Sequence, residues 1–205
     1  MLKRVGLELA RHAPFTAAGA VSGIAIMTAL VVTSVPASIS ETIFYVLHPA
    51  HVVFSAIVTT AMYRRYSRGK LWAAILVGYT GSVGIATLSD SIVPYLGGEA
   101  LRLKIDLHLG FIEKWWLVNP LALLGIAIGY FRPTTELPHA AHVFLSTWAS
   151  LFYFTAFSVA RWFPLFPFIF LFLFLSVWIP CCISDIVYPH FFVGGEQHQR
   201  GEAEH

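Results

Sequence analysis

Six stretches of this chain, each of about twenty residues or more, carry almost no charge, and nothing else in the sequence limits the fold as much. They cover about 14–36, 42–63, 71–93, 111–131, 138–160 and 162–187. A helix needs about 20 mostly apolar residues to cross a hydrocarbon layer about 30 Å thick. The expected fold is therefore all-α: a polytopic membrane bundle of six transmembrane helices in a single membrane domain, 1–205. Hydrophobic residues make up 57% of the chain and charged residues 12%, against about 25% charged in a soluble domain. Such a chain lacks the charge to cover a water-facing surface. Lys3, Arg4 and Arg11 look like the basic start of a signal peptide. The apolar run behind them is longer than the usual core of one, so it is read as a retained helix.

Basic residues set the expected orientation. Arg64, Arg65, Arg68 and Lys70 lie between the second and third stretches, and Lys3, Arg4 and Arg11 precede the first. Placing both groups inside puts both termini in the cytoplasm and the protein in the cytoplasmic membrane. Arg102, Lys104 and Lys114 then fall outside, alternating with Glu99, Asp106 and Glu113. That segment is expected to lie along the interface as an amphipathic helix. Residues 195–205, with His198 and His205, read as a polar C-terminal tail. A formal net charge of +2 and the lack of any long basic run argue against nucleic acid as a partner. The lipid bilayer, a second copy and a membrane partner subunit remain.

The chain also repeats itself. His48-Pro49-Ala50-His51-Val52-Val53-Phe54-Ser55 and His139-Ala140-Ala141-His142-Val143-Phe144-Leu145-Ser146 share the pattern H-x-A-H-V-x-x-S. Ser89-Asp90 closes the third stretch and Ser184-Asp185 the sixth, each followed by a proline. Gly23-Ile24-Ala25-Ile26 in the first stretch matches Gly125-Ile126-Ala127-Ile128 in the fourth. Chance gives about 0.4 H-x-x-H pairs in a chain with this histidine content, so the histidines alone prove little. The flanking residues, and Ser-Asp about 40 residues on in each half, carry the argument. Repeat 1 is 14–93 and repeat 2 is 111–190. Three helices per repeat bring the second copy into the membrane from the opposite face. The result is an inverted repeat, which resembles the plan of many secondary transporters.

The repeated residues are metal-ligand types. Histidines three apart share one helix face, and each Ser-Asp sits where the next helix returns. The candidate ligands are His48, His51 and Asp90 in one half and His139, His142 and Asp185 in the other. Two imidazoles and a carboxylate suit Zn, Fe, Mn, Co or Ni, which the sequence does not distinguish. Auxiliary candidates are His108 and Glu113 outside, and His12 and His190 inside. Ser55, Ser146, Ser89 and Ser184 are candidates to fix the ligands by hydrogen bonding. Inversion places the two sets towards opposite faces, with straight helices leaving them more than about 10 Å apart; if the ligands lie deeper, with Pro49 disturbing the second helix, the two sets merge into one site at the midplane. The plainer reading is that these groups meet interfacial water at helix ends. Intramembrane ionisable groups are costly, however, and six in a repeated pattern favour metal or proton chemistry.

Other chemistries lack their marks. The chain has no phosphate-binding glycine loop, no nucleophile elbow and no H-E-x-x-H. H-x-x-H puts both imidazoles on one helix at one level, which disfavours haem. Cys181 and Cys182 are adjacent, form no C-x-x-C, and read as small apolar residues. The leading function is a metal-ion transporter or permease, not an enzyme. An intramembrane metal-dependent hydrolase or oxidase is the alternative. A non-catalytic membrane subunit or assembly factor is the third reading, suited by the six phenylalanines between Phe163 and Phe174.

Overall fold

The computed structural model describes residues 2–66, 70–132, 136–159, 165–182, 188 and 192. Helices dominate: α1 Leu2–Val32, α2 Ala37–Tyr66, α3 Leu71–Ala100, the single turn α4 Gly110–Glu113, α5 Trp115–Phe131, α6 Glu136–Phe157 and α7 Phe166–Cys182. Three are long and apolar enough to cross a membrane, over Ala13–Leu30, Ala37–Arg65 and Leu71–Ala100, and α5 and α7 are shorter apolar helices. The side chains are distributed inside out. Val46, Trp72, Leu76, Leu123 and Leu171 are exposed, while His48, His51, Asp90 and Ser146 are buried. That is the distribution a lipid-facing bundle requires, because its polar groups must turn inward.

Among the described residues, both non-glycine positions with positive φ, Ser34 (53°) and Arg102 (56°), close helices in the same way. Val35 N–H bonds Leu30 O at 3.0 Å, and Leu103 N–H bonds Gly98 O at 2.9 Å. Each bond reaches back across a left-handed residue to a carbonyl the helix leaves unpaired. Pro36 then separates α1 from α2.

Helix α2 is the centre of the bundle. It packs against α6 on one side and against α5 and α3 on others. The α5 contact is backbone to backbone. A Cβ at Gly125 would stand 2.5 Å from Val53 O, and one at Gly129 would press on the Ile57 backbone. Two glycines four apart let the helices approach this closely. The matching Gly23 in α1 meets only Leu151 and Trp148 at ordinary distance, so the two Gly-Ile-Ala-Ile segments pack differently. At the far end of α2 the Arg64 guanidinium lies 4.2 Å from the Tyr130 ring centroid, closing the same helix pair.

The segment after α3 is extended, not the amphipathic helix expected from its alternating charges. Lys104–Ile105 (β1) pairs antiparallel with Ser158–Val159 (β2), Lys104 facing Val159 and Ile105 facing Ser158. Tyr153 secures the next residues. Its hydroxyl donates to Asp106 O at 2.8 Å and accepts from His108 N–H at 2.9 Å. Extended backbone can use these partners at the end of α6, whereas a helix would have satisfied itself.

Candidate metal centre

His48 and His51 lie on one face of α2 and turn Nδ1 towards the same atom. Asp90 Oδ2 stands 2.9 Å from His48 Nδ1 and 2.7 Å from His51 Nδ1. An ionised carboxylate only accepts, so in the neutral form each ring carries its proton on Nδ1 and has its lone pair on Nε2. The other oxygen, Oδ1, accepts from Ser89 Oγ and Ser146 Oγ, both at 2.8 Å. All five side chains are buried. Four hydrogen bonds offset the cost of holding a carboxylate in an apolar interior.

Local backbone geometry aims this carboxylate. Helix α3 contains two π turns, Thr80–Gly84 and Leu88–Ile92, and Asp90 sits in the second. Such turns insert one residue into a helix and are frequent at functional sites. There Val93 N–H bonds Leu88 O, five residues back. The next donor in that register would be residue 94, which is proline and has no N–H. The carbonyl left over is that of Ser89, and Ser150 Oγ donates to it from α6 at 2.9 Å. Asp90 is thus held by its side chain and by the neighbouring backbone.

The second histidine of the other motif reaches the same place. His142 stacks on His51, with ring centroids 5.7 Å apart and planes at 17°. His51, His142 and Cys181 each offer a ligand atom, all within 4.8 Å of one another, and all three residues are buried. This corrects the expectation that the two motifs stand more than about 10 Å apart. Helix α2 begins at Ala37 and continues to Tyr66. At about 1.5 Å per residue, His51 therefore lies about 21 Å along a helix of about 45 Å. It is mid-helix.

The remaining candidates divide. Ser55 is buried one turn beyond His51 on α2. Ser146 serves the carboxylate, not an imidazole. His108 and Glu113 pair with each other, His108 Nδ1 standing 3.1 Å from both carboxylate oxygens. Tyr45 hydroxyl and Leu109 N–H also donate to Glu113. Partial burial pushes this carboxyl up, but the bonds from Tyr45 and His108 outweigh it and hold Glu113 below the usual range. The side chains of His12, His139, Ser184, Asp185 and His190, and the tail 195–205, lie outside the described residues. Cys181 was read as a small apolar residue, yet it joins two histidines. The signal in the sequence was its position four residues before Asp185.

Comparison with protein-family models, curated proteins and solved structures returned no match. What this arrangement does has to be argued from its own chemistry.

Proposed function

We propose that this chain is a membrane carrier that takes a divalent transition metal through a buried centre formed by His51, His142 and Cys181. The observation that carries the reading is the meeting of these three donors within 4.8 Å in the interior of an apolar bundle. Two imidazoles and a thiolate form a familiar zinc set, and the thiolate favours Zn, Co and Ni over the harder Mn. Asp90 is a positioning residue. By holding His51 through Nδ1 it presents Nε2 to the ion, the usual role of a carboxylate behind a ligating histidine.

Transport is favoured by the polar interior that runs on from the centre. His48, His51, Ser55 and Thr59 form one buried stripe along α2, and Ser82, Thr87 and Ser91 of α3 and Thr147 of α6 are buried as well. Polar groups of this density inside an apolar bundle suit an ion route.

Six spans arranged as inverted repeats fit the packing. His51 and His142 hold equivalent places in the two motifs and stack, as residues beside a two-fold axis do. Helix α1 packs on α6 and α7 much as α5 packs on α2 and α3. The Arg64–Arg65 end of α2 is then inward and the Glu113 end outward.

The alternative is a metal hydrolase or oxidase, because three protein ligands leave a fourth position for water. Uptake of Zn²⁺ into sealed proteoliposomes decides between them. The wild type accumulates the ion, and His142→Ala and Cys181→Ser abolish accumulation and bound metal together. If purified protein carries as much metal in both variants as in the wild type, the centre is elsewhere and the reading falls.

A further inference from the structure

The buried polar set is sealed, and towards the Glu113 end one small element seals it. His48, His51 and Asp90 are at most 1% exposed. One face of the His48 ring is covered by Phe44, stacked at 5.4 Å with planes at 16°. The Cδ2–Nε2 edge meets the backbone of α4. A Cβ at Gly110 would stand 2.6 Å from Cδ2 and 2.9 Å from Nε2. Only glycine permits so close an approach. Helix α4 is a plug seated on the first histidine of the motif.

The plug is a unit of its own. Its turn closes on itself, Glu113 N–H bonding Leu109 O at 3.0 Å and Lys114 N–H bonding Gly110 O at 2.9 Å. The residues at its two ends are not helical: Leu109 has φ −114° and ψ 98°, and Lys114 has φ −119° and ψ 42°. An isolated turn is marginal without tertiary support. That support is Gly110 on His48, Phe111 against the cluster of Val52 and Val118, and the Glu113 carboxylate. Glu113 accepts from the Tyr45 hydroxyl of α2 and from Leu109 N–H, and it pairs with His108. The Glu113 and His108 side chains are 36% and 32% exposed. Bonds that water reaches belong to the part of a protein that opens at low cost. The strap just before the plug is fixed more firmly, because Tyr153 holds Asp106 O and His108 N–H.

We infer that α4 is the gate at the Glu113 end of the carrier, latched by the Tyr45–Glu113 bond and hinged at Leu109 and Lys114. This rests on the carrier reading and adds the step by which an ion enters. When the latch parts, Gly110 lifts from the His48 ring and the polar stripe of α2 meets water. When it re-forms, the glycine backbone closes the interior again. The movable part is one helical turn, and the rest of the bundle stays in place.

The test reads water at His48 directly, by deuterium exchange of its imidazole Cε1–H in full-length protein in proteoliposomes, followed by mass spectrometry. In the wild type this exchange is slow. Tyr45→Phe removes one bond to a charged acceptor and speeds it about 10-fold. Glu113→Ala removes the whole latch and speeds it further. Gly110→Ala keeps the latch residues but cannot seat on the ring, and speeds it as well. Lys104→Ala, exposed on the strap outside the latch, leaves it unchanged. The initial rate of Zn²⁺ entry rises in the same order, in variants that melt like the wild type. Wild-type exchange as fast as in Glu113→Ala overturns the plug, and so does unchanged exchange in folded Tyr45→Phe and Glu113→Ala. Faster exchange with no faster entry makes α4 a cover but not the gate, and leaves the carrier reading standing. Wild-type vesicles that take up no Zn²⁺ remove the carrier reading, and the gate with it.

Discussion

Replacing Asp90 by asparagine separates positioning from ligation. The two side chains have nearly the same shape. Asparagine can place its oxygen where Oδ2 receives both histidine N–H groups, with its amide nitrogen turned to the Ser89 and Ser146 hydroxyls, which rotate to accept. The hydrogen-bond pattern survives and the charge does not. Two bonds of about 1.5–3 kcal/mol become neutral bonds of about 0.5–1.5 kcal/mol. Part of that loss returns because no charge is buried any longer, so the fold should persist. Metal affinity should fall about 10- to 100-fold, the usual effect of removing a carboxylate behind a ligating histidine. The assay is competition for Zn²⁺ with a chelator of known affinity, alongside a thermal melt. Unchanged affinity in folded protein would refute the positioning argument. Abolition of binding, matching the loss in Cys181→Ser, would make Asp90 a ligand itself.

The packing and the outer cluster carry four further predictions. Gly129→Ala should cost about 1–3 kcal/mol, read as a lower melting temperature, because its Cβ meets the Ile57 backbone. Gly84→Ala, which meets nothing within 4 Å, should be neutral or stabilising. Ser150→Ala leaves the Ser89 carbonyl without its donor and should cost about 1–3 kcal/mol, with Ser150→Thr restoring most of it. The Glu113 carboxyl is lowered in the folded protein, so its contribution is complete above the ordinary glutamate range and disappears as pH falls through the folded value. Protection of the Leu109 amide, measured against the intrinsic exchange rate at each pH, should therefore fall on acidification, and Tyr45→Phe should move that fall to higher pH.

The helices were legible because a membrane segment advertises itself through unbroken apolar length. The start of α2 was not, since Ser38, Ser40 and Glu41 interrupt the apolar run while the backbone hydrogen bonds continue through them. That five-residue difference shifts His51 only from about 14 Å to about 21 Å past the helix start; its meeting with His142 and Cys181 comes from the tertiary packing of α2, α6 and α7, not from the length of one helix. The strap after α3 alternates in charge as an interfacial helix would, but Tyr153 offers it a tertiary partner that no local pattern reveals. His48, His51, Asp90 and His142 stand out in the sequence because repetition marks them. Cys181 was overlooked because it has no counterpart in the first half, where Ala86 holds the equivalent place before Ser89-Asp90.

The π turn at Leu88–Ile92 also gives α3 spare length. An inserted residue absorbed in such a turn leaves the helix on either side facing as before. Were the turn to relax into regular α-helix, each residue would advance by about 100°. Val93–Ala100 would then rotate as a unit, taking Gly97 from Phe172 and Gly98 from Ile105, which they now meet too closely for any side chain. Deleting one residue within the turn should be tolerated there, because the remaining chain closes into an ordinary helix with both ends in place. The same deletion at Leu76 or Leu96 has no such reserve and should unseat everything beyond it.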